Sequence, residues 1–80
     1  MDVSIQIPQL GATATRADII NNHTDVAKML MTICVGLFSD SGDKLKVIQV
    51  QHQLTGFPIP SIEEQWAIAM PLIEEMQETQ

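Results

Sequence analysis

The segment from Met29 to Phe38 most constrains the fold of this chain, because it is the longest apolar run in the sequence. It is interrupted only by Thr32 and Gly36. A helix that crosses a membrane needs roughly 20 apolar residues. The segment is too short for that, and we therefore expect it to be buried in a folded domain.

The spacing of the apolar residues predicts that this segment belongs to an α-helix. Thr24 is a suitable N-cap, and Asp25 would lie in the first turn, where a carboxylate is favourable. One apolar set recurs at steps of four, three and four residues, the spacing of a single helical face: Val26, Leu30, Ile33 and Leu37. A second set extends the apolar surface around most of the helix: Met29, Met31, Val35 and Phe38. Such a helix is buried on several sides or binds a partner with its second face, and we favour burial.

The segment from about residue 43 to residue 54 is compatible with a helix or with a strand. Its apolar residues are separated by mixed steps, while Gln49, Gln51 and Gln53 alternate with less polar neighbours, as in a strand. Gly56 and Pro58 follow, and glycine and proline at these distances are typical of the end of a helix. We therefore predict a helix here, with a strand as the alternative.

The N-terminal residues show a different pattern. Val3, Ile5 and Ile7 alternate with polar residues, which predicts a short strand or extended arm that Pro8 stops. A loop follows, and Thr15 is then a candidate cap for a short helix.

The C-terminal residues carry the clearest local signal. Residues 61–64, Ser-Ile-Glu-Glu, form a capping box, which predicts that a helix begins there. Pro71 would either kink this last helix or break it. The helix would bury a stripe of apolar residues: Ile62, Trp66, Ala69, Ile73 and Met76.

Together these patterns predict a mostly α fold in a single domain of 80 residues. Residues 1–14 would form an extended or strand-like arm and a loop, and residues 15–80 a small bundle of three to five helices. The formal net charge of −6, from 10 acidic and 4 basic residues, disfavours binding to nucleic acid or to an anionic membrane. The N-terminus lacks the basic and apolar regions of a secretory signal, so we expect a cytoplasmic protein.

Catalytic or metal-binding groups are sparse in the sequence. His23 and His52 are the two histidines, and neither has a second ligand at the spacing that helical metal sites use. Cys34 is the single cysteine and has no polar neighbours that would activate it. We therefore expect no metal site and no enzymatic activity.

The segment from Phe38 to Leu54 resembles the core of peptidyl carrier, or thiolation, domains, which are helical. The matching positions are Phe38, Gly42, Asp43, Leu45, Lys46, Ile48, Gln49 and Leu54. In this register Lys44 occupies the position of the serine that carries phosphopantetheine in the family. Lysine cannot form that phosphodiester, so the resemblance implies a carrier-like fold without the prosthetic arm.

A second register resembles the acyl carrier proteins of fatty-acid and polyketide synthesis. It aligns Asp40 and Ser41 with the Asp-Ser pair that bears the prosthetic group, and it also aligns Ile59-Pro60 with a family motif. The resemblance then implies phosphopantetheine on Ser41, at the beginning of a helix. The alternative for the same residues is an ordinary helix cap.

These observations favour a non-catalytic, carrier-like protein that acts through protein–protein interaction and has no cofactor. A functional acyl carrier protein modified at Ser41 is one alternative. A phage- or plasmid-type adaptor, assembly chaperone or inhibitor is another, and it could form a homo-oligomer. The residues predicted to contact a partner protein are Met29, Met31, Phe38, Lys46, Val47 and Val50.

Overall fold

The protein is mostly β-structure. The computed structural model describes residues 1–78. In chain order its elements are β1 (Asp2–Ile7), a 3-10 turn (Pro8–Leu10), β2 (Ala12–Asp25), β3 (Leu30–Phe38), β4 (Lys44–Gln53) and α1 (Ile62–Glu78). The four strands form one antiparallel sheet in the order β1-β2-β3-β4, so each strand pairs with the next one along the chain.

The predicted helical bundle over residues 15–80 is therefore wrong, and α1 is the single long helix among the described residues. In β3, every second side chain faces the core and is fully buried: Met31, Ile33, Val35 and Leu37. The residues between them, which face away, are also largely apolar. An apolar pattern on both faces of a strand contains helical spacings by coincidence, which explains the error.

The helix predicted for residues 43–54 is also wrong, because this segment is the edge strand β4. The alternating glutamines were the correct signal, since Gln49, Gln51 and Gln53 are all exposed. Gly56 and Pro58, interpreted as the end of a helix, lie instead in the connection between β4 and α1. The short helix predicted after Thr15 is part of β2.

The strand prediction for the N-terminus is confirmed, although β1 pairs with β2 and is not a free arm. The pairing register shifts once in each pair of strands, and such irregularities bend strands and curl a sheet. The curled sheet has its core on the face that α1 covers. The buried apolar residues are Val3, Ile5, Ile7, Ala14, Ala17, Met31, Ile33, Val35, Leu37, Leu54, Ala69 and Ile73.

The helix α1 begins where the capping box predicted. The backbone N–H of Glu64 donates to Ser61 Oγ at 3.3 Å, and the hydroxyl of Ser61 donates to the Glu64 carboxylate at 3.3 Å. The helix continues through Pro71 as one element, so the predicted alternative of a break is wrong. Ala69 and Ile73 are fully buried, whereas Ile62 at the start of the stripe is 54% exposed.

Residues 1–78 contain no helix with the length and apolar character that crossing a membrane requires.

Candidate protein-interaction surface

The segment that suggested a carrier protein is a β-hairpin turn. Ser39 N–H donates to the carbonyl of Asp43 at 2.9 Å, and Gly42 N–H donates to the carbonyl of Ser39 at 3.0 Å. Gly42 has a φ of 90°, which favours glycine. The hydroxyl of Ser41 donates to Asp43 Oδ2 at 3.1 Å. The turn is therefore held by its own short polar side chains and joins β3 to β4.

The resemblance to carrier proteins is wrong, because carriers are helical and no helix begins near this turn. Ser41 lies at the tip of the hairpin, far in sequence from the first residue of α1. Lys44 is the first residue of β4, so the register that placed it at an attachment position has no structural basis. Attachment of phosphopantetheine to Ser41 stays a prediction, without the helix N-terminus that motivated it.

The six residues predicted to contact a partner do not share one surface. Met31 is fully buried in the core, and Val50 and Met29 pack against that core. Lys46 is exposed on the edge strand β4. Phe38 and Val47 remain as candidates, because both lie on the face of the sheet opposite to α1.

Gly36 is the centre of an apolar patch on this opposite face. It pairs with Val47 across the β3–β4 ladder, and its own backbone is buried beneath neighbouring side chains. A Cβ built on Gly36 would lie 2.8 Å from the ring of Phe38 and 3.1 Å from Cγ2 of Ile20. Phe38 and Ile20 therefore meet over the glycine, and the absent side chain leaves the space that they occupy. We call Ile20, Gly36, Phe38 and Val47 the open-face patch.

Ile20 was not among the residues predicted to contact a partner. The signal was present, because Ile19 and Ile20 are consecutive and neighbouring side chains in a strand point to opposite faces. Ile19 packs against the core, and Ile20 is 43% exposed, as Val47 is at 40%. A register shift between Ile19 and Asn21 makes this stretch of β2 irregular. Two adjacent isoleucines in a strand thus indicated that one of them faces away from the core.

Charged groups border the patch on one side. The guanidinium of Arg16 lies over the ring of Phe38, 5.0 Å from the ring centre, and its Nε is 2.8 Å from Asp18 Oδ2. The N-terminal ammonium is 3.8 Å from Asp18 Oδ1 and donates to the carbonyl of Ala17 at 3.1 Å. These contacts restrict the ring of Phe38, and they give the patch an apolar centre with a polar rim on the β2 side.

A cavity of about 230 Å³ lies where β1 turns into β2, and none of its lining residues has a titratable side chain. In residues 1–78, no group of three His, Cys, Asp or Glu side chains is placed to hold a metal ion. Gln65 is the one buried polar side chain in that range. Both ends of its amide are hydrogen-bonded, because Oε1 accepts from Asn22 Nδ2 at 3.2 Å and Nε2 donates to the carbonyl of Pro60 at 3.1 Å.

The chain matches no family model, and searches of curated proteins and of solved structures found no significant similarity. The residues of the open-face patch are therefore the basis for its proposed role.

Proposed function

We propose that this protein is a non-catalytic interaction protein that binds a protein partner through the open-face patch. The observation that supports the proposal is the position of Ile20, Phe38 and Val47, which cluster around Gly36 on the face of the sheet that α1 does not cover. An apolar cluster with a polar rim is the usual arrangement at the centre of a protein interface.

The chemistry of the patch favours a protein over other ligands. The net charge of −6 repels nucleic acid and anionic lipid. The patch is part of a sheet face and is not a deep pocket, so it suits an apolar side chain presented by another protein better than a small molecule.

In biological terms, the proposal covers an adaptor, an assembly chaperone or an inhibitor that acts in the cytoplasm and needs no cofactor. In each of these roles the protein works by occupying a surface of its partner.

The test begins with capture of partners from the native host by the tagged full-length chain, followed by titration of the purified partner. We expect the double variant Ile20→Thr and Val47→Thr to weaken binding about tenfold or more, since threonine keeps the strand and removes apolar contact. Val26→Thr is the matched control, because Val26 is 62% exposed at the tip of the β2–β3 hairpin, outside the patch.

Unchanged affinity in the double variant would contradict the proposal. An equal loss in Val26→Thr would also contradict it, because the partner would then depend on the hairpin tip and not on the patch.

A further inference from the structure

The outer edge of β4 has unpaired backbone groups. β4 has β3 as its one neighbour in the sheet. The N–H of Leu54, just after β4, donates to the carbonyl of Met29 at 2.7 Å and so points towards β3. Because these directions alternate along a strand, the N–H groups of Val47, Gln49 and Gln51 point outward. No hydrogen bond within residues 1–78 uses them.

The other edge of the sheet is protected. The N–H of Ser4 on β1 donates to the side-chain oxygen of Gln77 on α1 at 3.0 Å. β1 has six residues, carries a register shift between Asp2 and Ile5, and ends at Pro8. Short length, irregular pairing, proline and cover by another element are the usual ways in which an edge strand avoids a partner. β4 has ten residues, and within residues 1–78 no side chain of α1 hydrogen-bonds to its outward backbone groups.

The apolar side chains of β4 are also incompletely covered. Ile48 and Val50 face the core and remain partly exposed, whereas their partners in β3, Val35 and Ile33, are 0% exposed. A further strand alongside β4 would cover this rim and would pair the outward backbone groups at the same time.

The charges along β4 indicate which additional strand would pair with it. β4 contains Lys44 and Lys46 and none of the ten acidic residues, so it is the strand edge at which two copies of this acidic chain repel each other least. Both lysines lie at the N-terminal end of β4. Parallel pairing of two copies would place each lysine beside its equivalent, whereas antiparallel pairing places the lysines at opposite ends.

We propose that two copies of the chain pair through β4, antiparallel about a two-fold axis at Gln49, to form one continuous eight-stranded sheet. In this register Ile48 of each copy lies opposite Val50 of the other copy, and Lys46 lies opposite His52. A shift of the axis to Ile48 would place Lys46 opposite Val50 instead. A shift to Val50 would place Ile48 opposite His52. The register at Gln49 therefore gives the best match of apolar side chains on the core face.

The assembly closes at two copies, because the two-fold axis uses both β4 edges and the β1 edges are covered. The open-face patches stay accessible in the dimer, since they lie on the face of the sheet and not at its edge. The dimer interface and the partner-binding surface thus consist of different residues.

The test is the mass of the full-length protein in solution, by sedimentation equilibrium over a wide range of concentrations. We expect twice the 8.9 kDa chain mass. Gln49→Pro should raise the dimer dissociation constant about tenfold or more, because it removes an outward N–H donor. The fold should tolerate the change, since β3 does not use this donor and edge strands accept proline at such positions. Gln49→Glu places two carboxylates across the axis and should raise the dissociation constant at least severalfold. Gln6→Glu makes the same change on β1 and should leave the dimer intact.

Three results would overturn the inference: a wild-type monomer at every concentration, a dimer that resists both Gln49 variants, or a mass that grows beyond two chains. If circular dichroism shows that Gln49→Pro does not fold, the dimer dissociation constant of Gln49→Glu tests the inference on its own. Partner binding by the wild type, weakened by Ile20→Thr, would leave the proposed function standing even if the chain were a monomer.

Discussion

Two glycines show how single residues shape this protein. Gly36 leaves room for the ring of Phe38, because a Cβ at this position would be only 2.8 Å from the ring. Gly42 is required by the backbone conformation instead, because its φ of 90° closes the turn between β3 and β4. Apart from its chain neighbours, no residue has an atom within 4 Å of a Cβ built there. Gly36 thus allows the side chains of the open-face patch to meet, and Gly42 allows the tight turn of the β3–β4 hairpin.

Gly42→Ala should therefore destabilise the protein by about 1–2 kcal/mol, through backbone strain alone. Urea unfolding followed by circular dichroism measures the change. Ser41→Ala in the same turn is the control, and we expect it to cost less, since the hydroxyl of Ser41 is exposed. Equal stability of Gly42→Ala and the wild type would show that the turn relaxes to a different conformation.

At the scale of elements, α1 has a stabilising capping box at its first turn and a destabilising proline near its centre. Its capping box at Ser61 and Glu64 satisfies a backbone donor in the first turn. Pro71, ten residues into the helix, has no N–H for the carbonyl of Ala67. The helix nevertheless continues, because Ile73 beyond the proline is anchored in the core.

Pro71→Ala should stabilise the protein by about 1–3 kcal/mol, because Pro71 is exposed and alanine restores the missing hydrogen bond at no cost in packing. The measurement is the midpoint of thermal or urea unfolding. Glu75→Ala, at another exposed position of α1, should change stability by less than about 0.5 kcal/mol. A loss of stability in Pro71→Ala would mean that the core requires the geometry that proline imposes.

At the scale of the whole molecule, stability depends on how α1 closes the curled sheet. A domain of this size buries a small core, so each fully buried side chain contributes a large share of the net stability. Ile73 is fully buried and is the largest such residue that α1 contributes. Without it, the core residues of β1 and β3 lose part of their cover.

Ile73→Ala should lower the free energy of unfolding by about 2–5 kcal/mol. Ile62→Ala is the matched control, since Ile62 lies on the same helix and is 54% exposed, and it should cost far less. Urea unfolding of both variants gives the comparison, with the fluorescence of Trp66, the one tryptophan, as the signal. Similar losses in the two variants would contradict the arrangement of α1 on the sheet.

Local patterns in the sequence predicted β1 and α1. The alternation of Val3, Ile5 and Ile7 and the capping box at residues 61–64 act over a few residues, and their physical effects are the same wherever the segment lies. Phe38 and Val47 were also named from the sequence as partner contacts, but on the premise of two helices that are strands in the structure.

The central strands could not be derived in this way. Cys34 pairs with Asn21 on one side and with Gln49 on the other, so the conformation of β3 depends on backbone partners far away in the sequence. Apolar residues on both of its faces fit a helix and a strand equally well, and long-range pairing decides between them. The same pairing sends Met31 into the core and leaves Phe38 on the open face. Local sterics and hydrogen bonds therefore set the ends of this chain, and contacts between distant segments set its sheet and its candidate surface.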